Sequence, residues 1–78
     1  MVTKKLIKSY DFETIEDYFN YILESEINGQ RSQVISLIKL LSNIQKANFL
    51  NWIDLTNGGF NFKKIEVEQI KKLVFNSF

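Results

Sequence analysis

The sequence predicts a mostly α-helical domain, a small bundle of three to four helices within residues 1–78. This fold class is favoured by apolar residues that recur at helical spacing. With 45% hydrophobic residues the chain is expected to fold, and it has no proline and no internal repeat to suggest a second domain. A chain of this length buries only roughly 60% of the surface that it exposes when unfolded. Because no Ser- or Gly-rich linker divides the chain, we expect one domain with one core.

The first predicted helix lies in the segment 11–27, DFETIEDYFNYILESEI. Asp11 or Thr14 is expected to cap its N-terminus, and Asn28–Gly29 to end it in a left-handed turn. Its acidic residues point away from an apolar face, which is typical of an amphipathic helix. That face consists of Phe12, Ile15, Phe19, Ile22 and Leu23.

The second predicted helix covers residues 33–42, QVISLIKLLS, with Ser32 as its expected cap. Apolar side chains cover more than half of its circumference, so we expect it at the centre of the bundle. The residues Ser42 and Asn43 can close this helix and cap the next one.

The third predicted helix, residues 44–56, has apolar side chains on two faces. Phe49, Leu50 and Ile53 share one face, which we expect to enter the core. Ile44, Trp52 and Leu55 fall near the opposite face. Because the chain is short, it has few other helices to cover both apolar faces. We therefore predict that the second face binds another molecule.

The last segment allows two interpretations. Phe60 and Phe62 alternate as in a strand, whereas the apolar residues after Glu66 follow a helical period. We therefore expect a short extended piece followed by a final helix. The alternative fold is a helix-rich α+β domain in which residues 3–9 and 60–65 pair as a two-stranded ribbon.

The composition argues against catalysis. The chain has no histidine, which is the commonest general base and metal ligand. It also has no cysteine, which would supply a thiolate nucleophile. Its three glycines do not stand in a phosphate-cradling spacing. We expect no enzymatic activity, no cofactor and no metal. The lack of cysteine favours a cytoplasmic location, and no apolar run is long enough to predict a membrane span.

Charge is distributed unevenly along the chain. Residues 11–26 contain six acids and no base, although the net charge is only +1. This run is either a solvated helix face or an acidic patch that binds a basic partner.

The function predicted from the sequence is that of a small regulatory interaction protein, similar in size and composition to inhibitors and immunity proteins. It would occupy the surface of another protein or of a second copy of itself. The alternative is a helix-turn-helix-like nucleic-acid-binding protein that contacts phosphates through Lys63, Lys64, Lys71 and Lys72. The predicted partner-binding residues are Ile44, Asn48, Asn51, Trp52, Leu55, Phe60 and Phe62.

Overall fold

The computed structural model describes residues 1–56 and 64–78, which form five helices and no strand. The mostly α-helical fold class is therefore confirmed. The helices are α1 (Lys4–Ser9), α2 (Ile15–Ile27), α3 (Arg31–Lys39), α4 (Asn43–Thr56) and α5 (Lys64–Asn76). The Cα radius of gyration, 11.5 Å, is that of a folded globule of this length.

The alternative two-stranded ribbon is wrong, because residues 4–9 of its first strand are helical. A strand would place Leu6 and Ile7 on opposite faces, whereas a helix directs both toward the core, where Ile7 is buried and Leu6 partly buried. Thr3 caps this helix by accepting a hydrogen bond from the Leu6 amide at 3.2 Å. Of the second predicted strand, residues 64 and 65 begin α5, and residues 60–63 lie outside the described residues.

Helix α2 is capped by Thr14, one of the two caps expected from the sequence. The Thr14 hydroxyl accepts from the Asp17 amide, and the Asp17 carboxylate accepts from the Thr14 amide at 3.2 Å, which completes a capping box. Asp11, with φ of 63°, lies in the turn that separates α1 from α2. Gly29, with φ of 74°, follows the C-terminus in the left-handed conformation predicted.

The start of α3 differs from the prediction. This helix begins at Arg31, so Ser32 lies inside its first turn and is not its cap. The Arg31 guanidinium instead fixes the α2–α3 connection by donating to both carboxylate oxygens of Glu26, at 2.7 and 3.2 Å. Because the Glu26 side chain is only 5% exposed, this bidentate pair is shielded from solvent on one side.

Helix α4 has the predicted cap at Ser42. The Ser42 hydroxyl accepts from the Gln45 amide at 3.2 Å, and the Gln45 carboxamide oxygen accepts from the Ser42 amide at 3.0 Å. The same carboxamide also pairs with both backbone groups of Val2, at 3.0 and 2.7 Å. Gln45 therefore caps the helix and holds the N-terminal segment against it.

The core lies between α2, α3, α4 and α5, and α5 contacts each of the other three. The prediction that α3 is surrounded is wrong at Leu40, which directly follows the helix and is 40% exposed. Within the described residues the main contacts of α3 are to α2 and α5. The buried apolar side chains are Val2, Ile7, Tyr18, Phe19, Ile22, Leu23, Val34, Leu37, Ile38, Leu41, Phe49, Ile53, Ile70 and Val74.

Candidate interaction surfaces

Helix α4 separates its apolar side chains onto two faces, as the sequence predicts. Phe49 and Ile53 are buried in the core. Ile44 and Leu55 are 75% and 77% exposed, and Asn48 and Asn51 are exposed between them. At about 100° per residue these four side chains lie within a narrow stripe along the helix. We call Ile44, Asn48, Asn51 and Leu55 the α4 seam.

Trp52 does not belong to this stripe, and the prediction that it points away from the core is wrong. Its ring is only partly exposed and lies 5.5 Å from the Phe19 ring and 6.2 Å from the Phe49 ring, centroid to centroid. Trp52 follows Phe49 by three positions, so its large indole reaches back over the buried face. Phe60 and Phe62, which complete the predicted set, lie outside the described residues.

A second surface is an open groove along α2, with a volume of about 810 Å³. It begins at the α1–α2 turn and continues to the last residue of the helix. Four carboxylates line it, and none of its lining residues is basic. We call this surface the acidic groove; it is lined by Asp11, Phe12, Glu13, Asp17, Asn20, Tyr21, Glu24 and Ile27.

Aromatic rings form one wall of the acidic groove. The Phe12 ring centroid lies 5.6 Å from that of Tyr10 and 5.6 Å from that of Tyr21. The Tyr21 hydroxyl accepts a hydrogen bond from the Gln33 carboxamide at 2.9 Å, which ties the wall to α3. The left-handed residue Asp11 turns the chain so that Phe12 comes back over α2. The rings are therefore held in place by the fold.

The acidic groove was only partly foreseen from the sequence. The run of acids indicated a negative patch, whereas Phe12 was expected on the apolar face of this helix. Asp17 is fixed there by the α2 capping box, since one of its oxygens accepts from the Glu13 and Thr14 amides at 3.0 and 3.2 Å. A capping signature therefore also positions one of the charges of the groove.

Three of the basic side chains are already engaged within the described part of the fold. The Lys71 ammonium pairs with Asp54, and the Arg31 guanidinium, the only one in the chain, contacts Glu26 and Gln69. Lys46 is buried, where its ammonium donates to the Ser77 carbonyl at 2.6 Å and lies 5.5 Å from the Phe78 ring centroid. Each of these cations already has a contact within the fold.

The buried polar groups serve the fold. The Tyr18 hydroxyl donates at 2.8 Å to the Leu37 carbonyl, one of the last four of α3. Burial, with a smaller contribution from Tyr10, raises the pKa of the Tyr18 phenol well above its usual range. Tyr18 therefore remains neutral and acts as a structural donor.

The described part of the chain contains neither a cluster of metal ligands nor a helix able to span a membrane. No group of three or more acidic residues there is arranged to hold a metal ion. None of the helices found in residues 1–56 and 64–78 is long and apolar enough to cross a membrane.

Comparison with known proteins gives no relative for this chain. No protein-family model matches it, and neither a curated protein nor a solved structure is significantly similar to it.

Proposed function

We propose that this domain is a non-enzymatic interaction protein that binds a lysine- or arginine-rich segment of another protein in its acidic groove. The observation that carries the proposal is the placement of four carboxylates and a fixed aromatic wall in one groove without a lining base. An acidic helix face that only contacts water needs charged residues, but it does not need aromatic rings in a concave surface.

The groove suits the chemistry of basic side chains. Lysine and arginine have long apolar stems that pack on aromatic rings, here those of Phe12 and Tyr21, and charged ends that reach carboxylates. Glu13, which precedes the Thr14 cap, and Glu24, which lies in α2, are both exposed at opposite ends of the groove lining. Two or more basic residues of an extended or helical segment could therefore be bound together.

Electrostatic complementarity of this kind determines mainly how fast and how selectively a partner binds. Because the groove is open to solvent, its attraction for a basic segment should weaken as salt is added. We expect the partner to be recognised by its pattern of charge and apolar stems rather than by a deep pocket.

The absence of histidine and cysteine from the sequence supports the non-enzymatic part of the proposal, and the lack of cysteine supports an intracellular location. The nucleic-acid alternative has less support. Of its four predicted phosphate contacts, Lys71 already pairs with Asp54, and the acidic groove would repel phosphates.

The test is a binding titration with a fluorescently labelled, amphipathic lysine-rich peptide and a counterpart in which every lysine is replaced by glutamate. We expect the protein to bind only the lysine peptide. The double variant Glu13→Gln/Glu24→Gln should weaken binding several-fold, as expected for the loss of two solvent-exposed ion pairs.

The matched control is Glu16→Gln/Glu68→Gln, which removes the same charge from exposed positions outside the groove lining. It should bind nearly as well as the unaltered protein. Equal weakening by both double variants would show that only net charge matters, and failure to bind the lysine peptide would reject the proposed partner chemistry.

A further inference from the structure

The α4 seam has the spacing of a helix-pairing surface. Its residues follow one another at intervals of four, three and four, the alternation that places side chains along one line in coiled coils. Isoleucine and leucine stand at its ends and asparagines in the middle. In the described part of the chain, neither asparagine carboxamide has a hydrogen-bond partner.

The order of side chains along the seam is the same from either end. Read forward it is aliphatic, asparagine, asparagine, aliphatic, and the reverse order is identical. When a second copy runs antiparallel about a twofold axis, Ile44 of one copy therefore lies opposite Leu55 of the other. Asn48 then lies opposite Asn51. A twofold interface requires this self-complementarity, whereas a foreign partner does not.

The charges of α4 also suit a second copy. A twofold axis brings like groups near each other, so a charged seam would repel itself. The α4 seam carries no charge, Lys46 is turned into the domain, and Asp54 is paired with Lys71. Small Ala47 at the edge of the seam leaves room for close approach of the two helices.

The asparagines would determine the register. A carboxamide has both donors and acceptors, so two facing carboxamides satisfy each other. Any shift of the pairing would place an asparagine against an aliphatic side chain and leave its polar groups unsatisfied. The seam is short, because α4 has 14 residues, so we expect its contact area to fall below the about 1,200 Å² typical of stable complexes.

We propose that the α4 seam is a weak self-association surface through which two copies of this chain pair antiparallel, with Ile44 against Leu55 at both ends. The proposal is independent of the acidic groove, which lies on α2.

The first test is sedimentation equilibrium of the full chain from about 10 µM to about 1 mM, the range suited to a small interface. We expect a reversible monomer–dimer equilibrium that Leu55→Glu shifts at least about tenfold toward monomer. The matched control is Phe75→Glu, which changes another exposed apolar residue, on α5, and should leave association unchanged.

The second test determines the direction of pairing. Because the chain has no cysteine, I44C and L55C each introduce the only thiol. In a mixture of the two variants, antiparallel pairing brings the thiol of one against that of the other and preserves one Ile44–Leu55 contact. Thiols of like variants would lie about 16 Å apart along the helices, too far for a disulfide.

Mixed disulfides should therefore form in clear excess over like-variant disulfides, and F75C should form few with either variant. Predominance of like-variant disulfides would overturn the antiparallel arrangement. A wild-type chain that stays monomeric to about 1 mM, or Leu55→Glu and Phe75→Glu variants that associate equally, would overturn self-association through this seam and leave a different molecule as its occupant.

Discussion

Helices α2 and α4 each bury one face, but they differ in the face that they leave outside. The outer face of α2 carries carboxylates, which water solvates well, whereas the outer face of α4 carries uncharged asparagines and two aliphatic side chains. Core packing does not determine which residues occupy either outer face. Under the two proposals above, the charged face of α2 would select a partner by its charge, and the uncharged, self-complementary face of α4 would pair with a second copy.

The largest effect is expected at the buried face of α4. Phe49 is fully buried, with its ring 4.8 Å from that of Phe19. Phe49→Ala should lower the free energy of unfolding by about 3 to 5 kcal/mol, because it removes apolar contacts and leaves a cavity between the two helices. Chemical denaturation checks this. Phe75→Ala, at an exposed aromatic position, is the control; equal losses would mean that the core is misplaced.

A smaller effect is expected where α4 holds the N-terminal segment. Gln45→Ala removes the α4 cap partner and both hydrogen bonds to Val2, and should lower the free energy of unfolding by about 1 to 2 kcal/mol. Amide hydrogen exchange should accelerate in α1 more than in α2. Uniform acceleration throughout the chain would contradict this local role.

The smallest effect concerns Tyr18 on the buried face of α2. Tyr18→Phe should lower the free energy of unfolding by about 1 kcal/mol at neutral pH, since one buried hydrogen bond is lost. The folded protein holds the Tyr18 phenol neutral. The contribution of this neutral phenol to the free energy of unfolding is therefore fully present below the ordinary tyrosine pKa of about 10, and it declines as the pH rises above that value. The substitution should make this alkaline decline shallower. An identical decline in both proteins would show that Tyr18 is not its source.

Much of the fold followed from local signals in the sequence. The Thr14 and Ser42 caps, the left-handed Gly29 and the buried face of α4 were predicted because each depends on residues close in the chain. Helix α1 was missed because so short a segment fits the residue period of a strand as well as that of a helix. The burial of Val2 and Ile7 in the core favours the helix. The ion pair that begins α3 joins residues five apart across a turn and has no helical spacing to indicate it.

The candidate surfaces were predictable to a lesser degree. Angles around α4 located Ile44 and Leu55 correctly but misplaced Trp52, because a large ring at the edge of a helix can fold back onto its neighbours. The acidic run was visible in the sequence. The aromatic wall beside it depends on the α1–α2 turn, which brings Phe12 next to Tyr21. Such a contact arises from tertiary structure and leaves no periodic signal.

The most direct measurement of the difference between the two faces of α4 compares Ile53→Ala with Leu55→Ala. Both remove an aliphatic side chain from the same helix, but Ile53 is buried and Leu55 is 77% exposed. Measured by chemical denaturation at about 1 µM, below the expected range of self-association, Ile53→Ala should lower the free energy of unfolding by about 2 to 4 kcal/mol. Leu55→Ala should change it by less than about 0.5 kcal/mol. Comparable losses in the two variants would contradict the assignment of one face of α4 to the core and of the other to solvent in the monomer.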